Sequence, residues 1–219
     1  MKAKLLVNPI QVENRLYEKF GVTKEQLIQV VSAGVSGRND CTSNHPTSMP
    51  GTRCWGEATR ALRELFVPLG WRSDNTDNIP SVVHPQRKIK IAVCNTDSGT
   101  GIEWGYPQPI REKGDGVQRA VFPNQGVLKP ILDDGLNEIA SGGESFWYLC
   151  IFCGADMIRA ELLCPVLDGE GSFKDFRERI ALISEGDENG GFRVRRDIPE
   201  SPEGDAGFEI SVTRKQAAK

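Results

Sequence analysis

The chain has 219 residues, of which 38% are hydrophobic and 26% are charged, and its net charge is −3. This composition excludes a disordered chain, and no apolar run approaches the ~20 residues needed to cross a bilayer. The charge is unevenly spread, because residues 1–90 carry 13 Lys and Arg against 8 Asp and Glu, whereas residues 91–219 carry 14 against 22. A basic first half favours an anionic partner such as nucleic acid, and an acidic second half would repel one.

The N-terminal residues and the cysteines predict a cytoplasmic protein. Asn8 and Pro9 interrupt the apolar residues at the N-terminus, which are too few for the hydrophobic region of a signal peptide. Six cysteines are spread along a chain that is large enough to fold without disulfides. We therefore expect reduced thiols in the core.

Two helices are predicted in the first third of the chain. Apolar residues recur at intervals of four from Val12 to Phe20 and predict a first helix. Thr23 and Gln26 form a capping box that begins a second helix, which we expect to run to about Ser32. The pair has the outline of a helix-turn-helix, but its outward side chains are not those of a recognition helix, so a plain helical hairpin is favoured.

Residues 34–53 are dense in Gly, Ser, Asn and Pro and predict a long loop. Cys41, His45, Cys54 and His84 are weak candidates for a zinc site. Their spacing matches no standard zinc finger or ribbon, in which each half of the site brings two ligands a few residues apart. The competing interpretation is a mobile loop with a free thiol.

The strongest helical pattern runs from Cys54 to Leu69, and a second irregular stretch at residues 72–85 follows it. A basic, β-branched strand begins near Arg87 and ends in the polar sequence NTDSGTG at residues 95–101. Side-chain oxygens and unhindered backbone N–H groups are typical of a ligand loop, although they also suit an ordinary turn. This central loop lacks the P-loop lysine pattern and GxGxxG, so we expect no nucleotide cofactor.

The later segments mostly predict strands. Ser145–Cys153 is a continuous apolar run, which indicates a strand buried on both faces. Met157–Cys164 is its predicted hairpin partner, which Pro165 ends. Further predicted elements are a helix at residues 129–140, a short helix from Ser172 to Arg177, and strands at residues 179–184, 192–197 and 208–213.

Together these elements predict an α+β fold, with a helical N-terminal region packed on a predominantly antiparallel or mixed C-terminal sheet. The helical region with its long loops would span residues 1–86 and the sheet-rich region residues 87–219. We expect the two to form one cooperative unit.

The first functional hypothesis is a nucleic-acid-associated or accessory subunit of a cytoplasmic assembly, with a protein partner, without a cofactor and without a membrane. The residues predicted to bind phosphate are Lys88, Lys90, Asn95, Thr96, Asp97, Ser98 and Gly99. The residues predicted to contact nucleic acid are Arg38, Arg60, Arg63, Arg193 and Arg195. At Arg193 and Arg195 the surrounding acidic residues favour internal salt bridges instead.

Two alternatives remain open at the level of sequence, and whether the protein is an enzyme is undecided. One is a metal-dependent hydrolase or nuclease that uses Asp97 with a carboxylate of the sheet such as Glu161. The other is a pure protein–protein interaction module. Cys150 and Cys153 form a CxxC, but residues three apart in a strand point to opposite faces, so core thiols are favoured over a metal or redox site.

Overall fold

The computed structural model describes residues 3–125, 145–168 and 170–187. Across these ranges the chain forms an α+β fold in which helices pack on one mixed sheet of seven strands, most of them antiparallel. The predicted fold class is confirmed. Within the same ranges we find no helix that combines the length and the hydropathy needed to span a bilayer.

The helices are α1 (Pro9–Phe20), α2 (Lys24–Asn39), α3 (Met49–Phe66) and α4 (Asp115–Val121), with 3₁₀ turns at Val67–Leu69, Thr76–Asn78 and Phe122–Gln125. The strands are β1 (Leu5–Leu6), β2 (Arg72–Asp74), β3 (Ser81–His84), β4 (Ile89–Asn95), β5 (Ser145–Cys153), β6 (Ile158–Leu167) and β7 (Phe173–Ile183). Their order across the sheet is β1-β7-β6-β5-β4-β3-β2. The pairs β1–β7 and β4–β5 are parallel, and the other neighbours are antiparallel.

The end of α1 and the start of α2 lie at the residues that their sequences indicate, whereas α1 begins at Pro9 rather than Val12 and α2 runs past Ser32. Gly21 ends α1 in the left-handed conformation, with φ 76°. Both hydrogen bonds of the capping box between Thr23 and Gln26 are present at the start of α2. These predictions are confirmed.

The predicted loop at residues 34–53 is wrong over most of its length, because α2 continues to Asn39 and α3 already begins at Met49. Its glycines serve helix packing rather than chain reversal. A Cβ at Gly34 would lie 2.9 Å from the carbonyl oxygen of Cys54, and a Cβ at Gly37 only 2.6 Å from a side-chain carbon of α3. The close approach of α2 to α3 therefore outweighs the low helix propensity of glycine.

The stretch at residues 72–85 was expected to be irregular, and this is also wrong, because it contains β2 and β3. Both are short strands at one end of the sheet, and β2 is largely exposed, so neither shows a clear apolar alternation. The sheet consequently takes three of its strands from the N-terminal part of the chain.

Two predictions about the far side of the sheet are also wrong. Pro165 does not end β6, because irregular registers on either side of it carry the strand on to Leu167. The segment Ser172–Arg177 is not a helix, because Phe173 begins β7 and pairs with β6. The predicted elements at residues 129–140, 192–197 and 208–213 lie outside the described residues.

The sheet separates two apolar layers, and β5 contributes to both. Trp147, Leu149 and Ile151 face the core shared with α1, α2 and α3, where the ring of Phe20 contacts Trp147 at 5.1 Å. The alternate residues of β5 face a second cluster. The predicted burial of β5 on both faces is confirmed.

Candidate anion-binding pocket

The central loop is folded back on the protein, and most of its polar groups form hydrogen bonds within the protein. The carboxylate of Asp97 accepts the backbone N–H groups of Gly99 and Gln108, each at 3.0 Å. The backbone N–H of Thr96 donates to the carbonyl oxygen of Ile151 at 3.0 Å. The Thr96 bond holds the start of the loop against β5, and the two bonds to Asp97 are made within the loop and the chain that follows it, so these groups are occupied by the protein itself.

A buried ion pair fixes the end of the same loop. Glu161 and Arg179 have side chains that are 0% and 2% exposed, and their closest approach is 2.8 Å. Glu161 also accepts the backbone N–H of Gly101 at 3.1 Å, and Arg179 donates to the carbonyl oxygens of Ile102 and Gly105. Because both oxygens of Glu161 already accept hydrogen bonds, this carboxylate is structural in the observed arrangement.

The structure disperses the four candidate zinc ligands Cys41, His45, Cys54 and His84. His45 accepts a hydrogen bond within its own turn, and the ring of His84 packs on Trp71 at 5.0 Å. Cys54 is buried, and the neighbouring Cys153 together with burial raises the pKa of its thiol well above the usual value. Among the residues that the structure describes, no three His, Cys, Asp or Glu side chains lie close enough together to hold a metal ion.

The predicted nucleic-acid contacts are engaged within the protein or lie outside the described ranges. Arg38 is 4% exposed. Arg60 forms ion pairs with two glutamates of α3, and Arg63 donates to a backbone carbonyl at the end of β2. Arg193 and Arg195 fall in the part of the chain that is not described.

The two lysines that were predicted to bind phosphate together with the central loop lie far from that loop. Lys90 is 6% exposed and its Nζ lies 2.6 Å from Asp74 Oδ2. Lys88 directly precedes β4, and at ~3.3 Å per residue it is about 23 Å from Asn95 at the other end of the strand. The prediction grouped the two lysines with the central loop in one phosphate site, whereas the extended strand β4 separates the lysines from the loop.

A cavity of about 290 Å³ lies at the carboxyl end of β4, beside the first turns of α3. Its walls come from residues 48–55, residues 93–95 and residues 110–113. Arg111 and Lys113 are among the lining residues, and no lining residue is acidic. We call this cavity the α3–β4 pocket.

Three local features of the chain open the α3–β4 pocket. The pairing of β3 with β4 stops at Ala92, so the last residues of β4 extend beyond β3. The following chain returns there, and the backbone N–H of Ile110 donates to the carbonyl oxygen of Asn95. Ser48, the N-cap residue of α3, lines the pocket and makes no side-chain capping hydrogen bond, so the positive end of an 18-residue helix dipole borders the pocket.

Asn95 connects the predicted ligand loop to this pocket. Its Nδ2 donates to the carbonyl oxygen of Gly51 at 2.8 Å, which ties the end of β4 to the first turn of α3. Its Oδ1 is buried without a hydrogen-bond partner. Asn95 is thus the one predicted phosphate ligand that lines the pocket.

Lys113 reaches the wall of the pocket beside a thiol. Its Nζ lies 5.4 Å from the centre of the Tyr148 ring. A hydrogen bond from Cys150 lowers the pKa of Cys94 from 9.0 to about 6. Burial has the opposite effect on this pKa, and the positive charge of Lys113 lowers it further. In its thiol form Cys94 donates to the carbonyl oxygen of Asn95 at 3.3 Å.

Trp55 completes the rim of the pocket. It lies on the second turn of α3 and is 36% exposed. An exposed aromatic ring next to cationic side chains is an arrangement on which a nucleobase can stack while its phosphate is bound nearby.

Searches against protein-family models, curated proteins and solved structures found no match to this chain. The chemistry of the pocket must therefore be argued from its own residues. Sequence reasoning had found Asn95 but missed Trp55, Arg111 and Lys113. The two cations follow several Pro and Gly residues without periodicity, and only the fold brings them to α3.

Proposed function

We propose that this protein is a nucleic-acid-associated, non-enzymatic subunit of a cytoplasmic assembly, and that it holds a phosphate of the nucleic acid in the α3–β4 pocket. The observation that carries the proposal is the convergence of Arg111, Lys113 and the amino end of α3 on a cavity without acidic lining residues. Cations and helix N-termini are the groups that proteins use to bind phosphate.

The size of the pocket supports one bound phosphate rather than a long stretch of polymer. Its volume of about 290 Å³ lies at the small end of the range for small-molecule sites. The rest of the nucleic acid strand would pass over the rim of the pocket, where Trp55 offers an aromatic face. Stacking of this kind needs an unpaired base, so single-stranded nucleic acid is the favoured form.

The alternative of metal-dependent hydrolysis by Asp97 and Glu161 has less support. Both carboxylates accept hydrogen bonds that hold the central loop, and Glu161 is fully buried against Arg179. Neither lines the α3–β4 pocket. No feature of the described residues favours this reaction over binding.

The test is fluorescence anisotropy with a labelled single-stranded oligonucleotide, titrated at several salt concentrations. We expect Arg111→Ala and Lys113→Met each to weaken binding about tenfold and to reduce the slope of log K against log salt by about one. Each substitution removes one cation from the pocket. Trp55→Ala is expected to lower affinity for the single strand by a similar factor.

Arg177→Ala is the matched control, because Arg177 is an exposed cation on β7 and does not line the pocket. It should leave affinity nearly unchanged. Absence of binding by the wild-type protein at low salt would overturn the proposal. An equal loss of affinity in Arg177→Ala and Arg111→Ala would also overturn it, since binding would then depend on general surface charge.

A further inference from the structure

The α3–β4 pocket is closed on the side of β4 and open on the side of the solvent. Val93 and Cys94 of β4 line it, and both are buried, so they form its floor. The lining residues that are exposed, and that therefore form its rim, are Ser48, Thr52, Trp55 and Arg111. A ligand consequently enters from the rim and cannot pass through the floor.

The two cations of the pocket lie at different depths. Arg111 is exposed, whereas Lys113 is half-buried and its Nζ lies 5.4 Å from the ring centre of the buried Tyr148. Arg111 therefore belongs to the rim of the pocket and Lys113 to its inner part. Neither cation forms an ion pair with another described residue. Both charges are thus available to a ligand.

The amino end of α3 adds unused hydrogen-bond donors to the same pocket. Gly51 is the third residue of α3 and lines the pocket, and its backbone N–H donates to no other described residue. Ser48 also lines the pocket, and its side chain makes no capping hydrogen bond. These donors suit a ligand with several acceptor oxygens, and the dipole of α3 favours one with negative charge.

The shape and charge of the pocket distinguish between two kinds of phosphate. A phosphodiester inside a strand is linked to a sugar on each side, so it would lie across the rim. A terminal phosphomonoester is linked to one sugar and can point inwards to Lys113. It also carries about −1.5 to −2 charges near neutral pH, which suits a pocket that is lined by two cations and no acidic residue.

We propose that the α3–β4 pocket binds the terminal phosphomonoester of a single strand of nucleic acid, so that the protein recognises a phosphorylated end rather than an internal site. This inference rests on the proposed function, because it names the part of the nucleic acid that enters the same pocket. The terminal phosphate lies towards Lys113, and the adjoining base stays at the rim, where Trp55 provides a stacking surface.

The experiment compares single strands of one sequence that carry a 5′-phosphate, a 3′-phosphate or hydroxyls at both ends. The fluorescent label is attached to an internal base, and the affinity of the full chain is measured by anisotropy at one salt concentration. A hydroxyl-ended strand that is longer by two nucleotides controls for total charge. We expect one phosphorylated strand to bind about tenfold more tightly than both hydroxyl-ended strands. The strand that does so identifies the recognised end.

Three variants test whether the preference arises in the pocket. Lys113→Met should weaken binding of the phosphorylated strand more than that of the hydroxyl-ended strand and bring the ratio of the two affinities close to one, because it removes the inner cation. Trp55→Ala should weaken binding of both strands and leave the ratio nearly unchanged. Arg177→Ala should change neither affinity. Because the ratio compares two ligands on the same protein, a smaller folded fraction in a variant does not alter it.

The outcomes separate this inference from the proposed function. Equal affinity for phosphorylated and hydroxyl-ended strands would overturn the inference and leave the proposed function intact, whereas binding to no strand would overturn both. The inference would also be wrong if the longer hydroxyl-ended strand bound as tightly as the phosphorylated one, since total charge would then explain the preference. A full preference in Lys113→Met would show that the phosphorylated end binds elsewhere.

Discussion

The ion pair of Asp74 and Lys90 makes the stability of the protein sensitive to acid. Burial raises the pKa of Asp74, but hydrogen bonds from Lys90 and Thr76 outweigh that effect and lower it from 3.8 to about 2. Because the folded pKa lies below the unfolded one, the carboxylate stabilises the fold above about pH 4, and this contribution disappears as the pH falls towards 2. We expect Asp74→Asn to remove about 2 kcal/mol of the acid-dependent change in the free energy of unfolding.

Urea unfolding, followed by far-UV circular dichroism at several pH values from neutral down to about pH 2.5, measures this difference. Asp40→Asn is the control, because the Asp40 side chain is 69% exposed in its bridge to Arg53 and exposed pairs contribute little. An Asp74→Asn variant whose stability falls with acid as steeply as that of the wild type would contradict the expectation.

The central loop depends on one glycine where it meets the sheet. Gly101 has φ 68°, and a Cβ built on it would lie 2.6 Å from the carbonyl oxygen of Ile183. Its N–H also donates to the buried Glu161. We expect Gly101→Ala to lower the free energy of unfolding by about 2–4 kcal/mol, because the backbone strain adds to a contact that cannot relax easily.

Gly70→Ala isolates the backbone part of that effect. Gly70 has φ 89°, but a Cβ there would meet no atom within 4 Å. Its substitution should therefore lower the free energy of unfolding by only about 1 kcal/mol. Chemical denaturation of the two variants makes the comparison, and equal losses would show that the contact with Ile183 is unimportant.

Local patterns predicted an element well where the sequence alone determines its bounds. The capping box at Thr23 and the apolar run of β5 begin their elements at the residues expected. The predictions failed where contact with a neighbouring element determines the secondary structure. Gly34 is suited to a helix only because α3 approaches it closely, and Phe173 begins a strand because β6 is available to pair with it.

The candidate site was predictable to a similar extent. Asn95 lies at the junction of an apolar strand and a polar loop, which is a pattern that the sequence displays. The rest of the loop offered the right groups for phosphate, but the fold uses them to bind β5 and β6. Arg111 and Lys113 reach the pocket only because the chain returns to the end of β4 after the loop, a long-range contact without a local signal.

Helices α1, α2 and α3 share one apolar layer with the sheet, and this predicts that they unfold together with it. That layer joins residues of α1, α2 and α3 to residues of β3 to β7. Phe20 lies at its centre, 1% exposed and in edge contact with Trp147 of β5. We expect Phe20→Ala to lower the free energy of unfolding by about 3–5 kcal/mol. Phe122→Ala is the control, because Phe122 is 53% exposed and should contribute little.

Two probes test whether the loss is shared by both parts of the fold. Far-UV circular dichroism follows mainly the helices, and tryptophan fluorescence includes Trp147 within the sheet. In a cooperative unit the two urea transitions coincide in the wild type and shift together in Phe20→Ala. If the circular dichroism transition moved and the fluorescence transition did not, the helices would be an independent folding unit. The α3–β4 pocket, which needs both α3 and β4, would then lose its shape before the sheet unfolds.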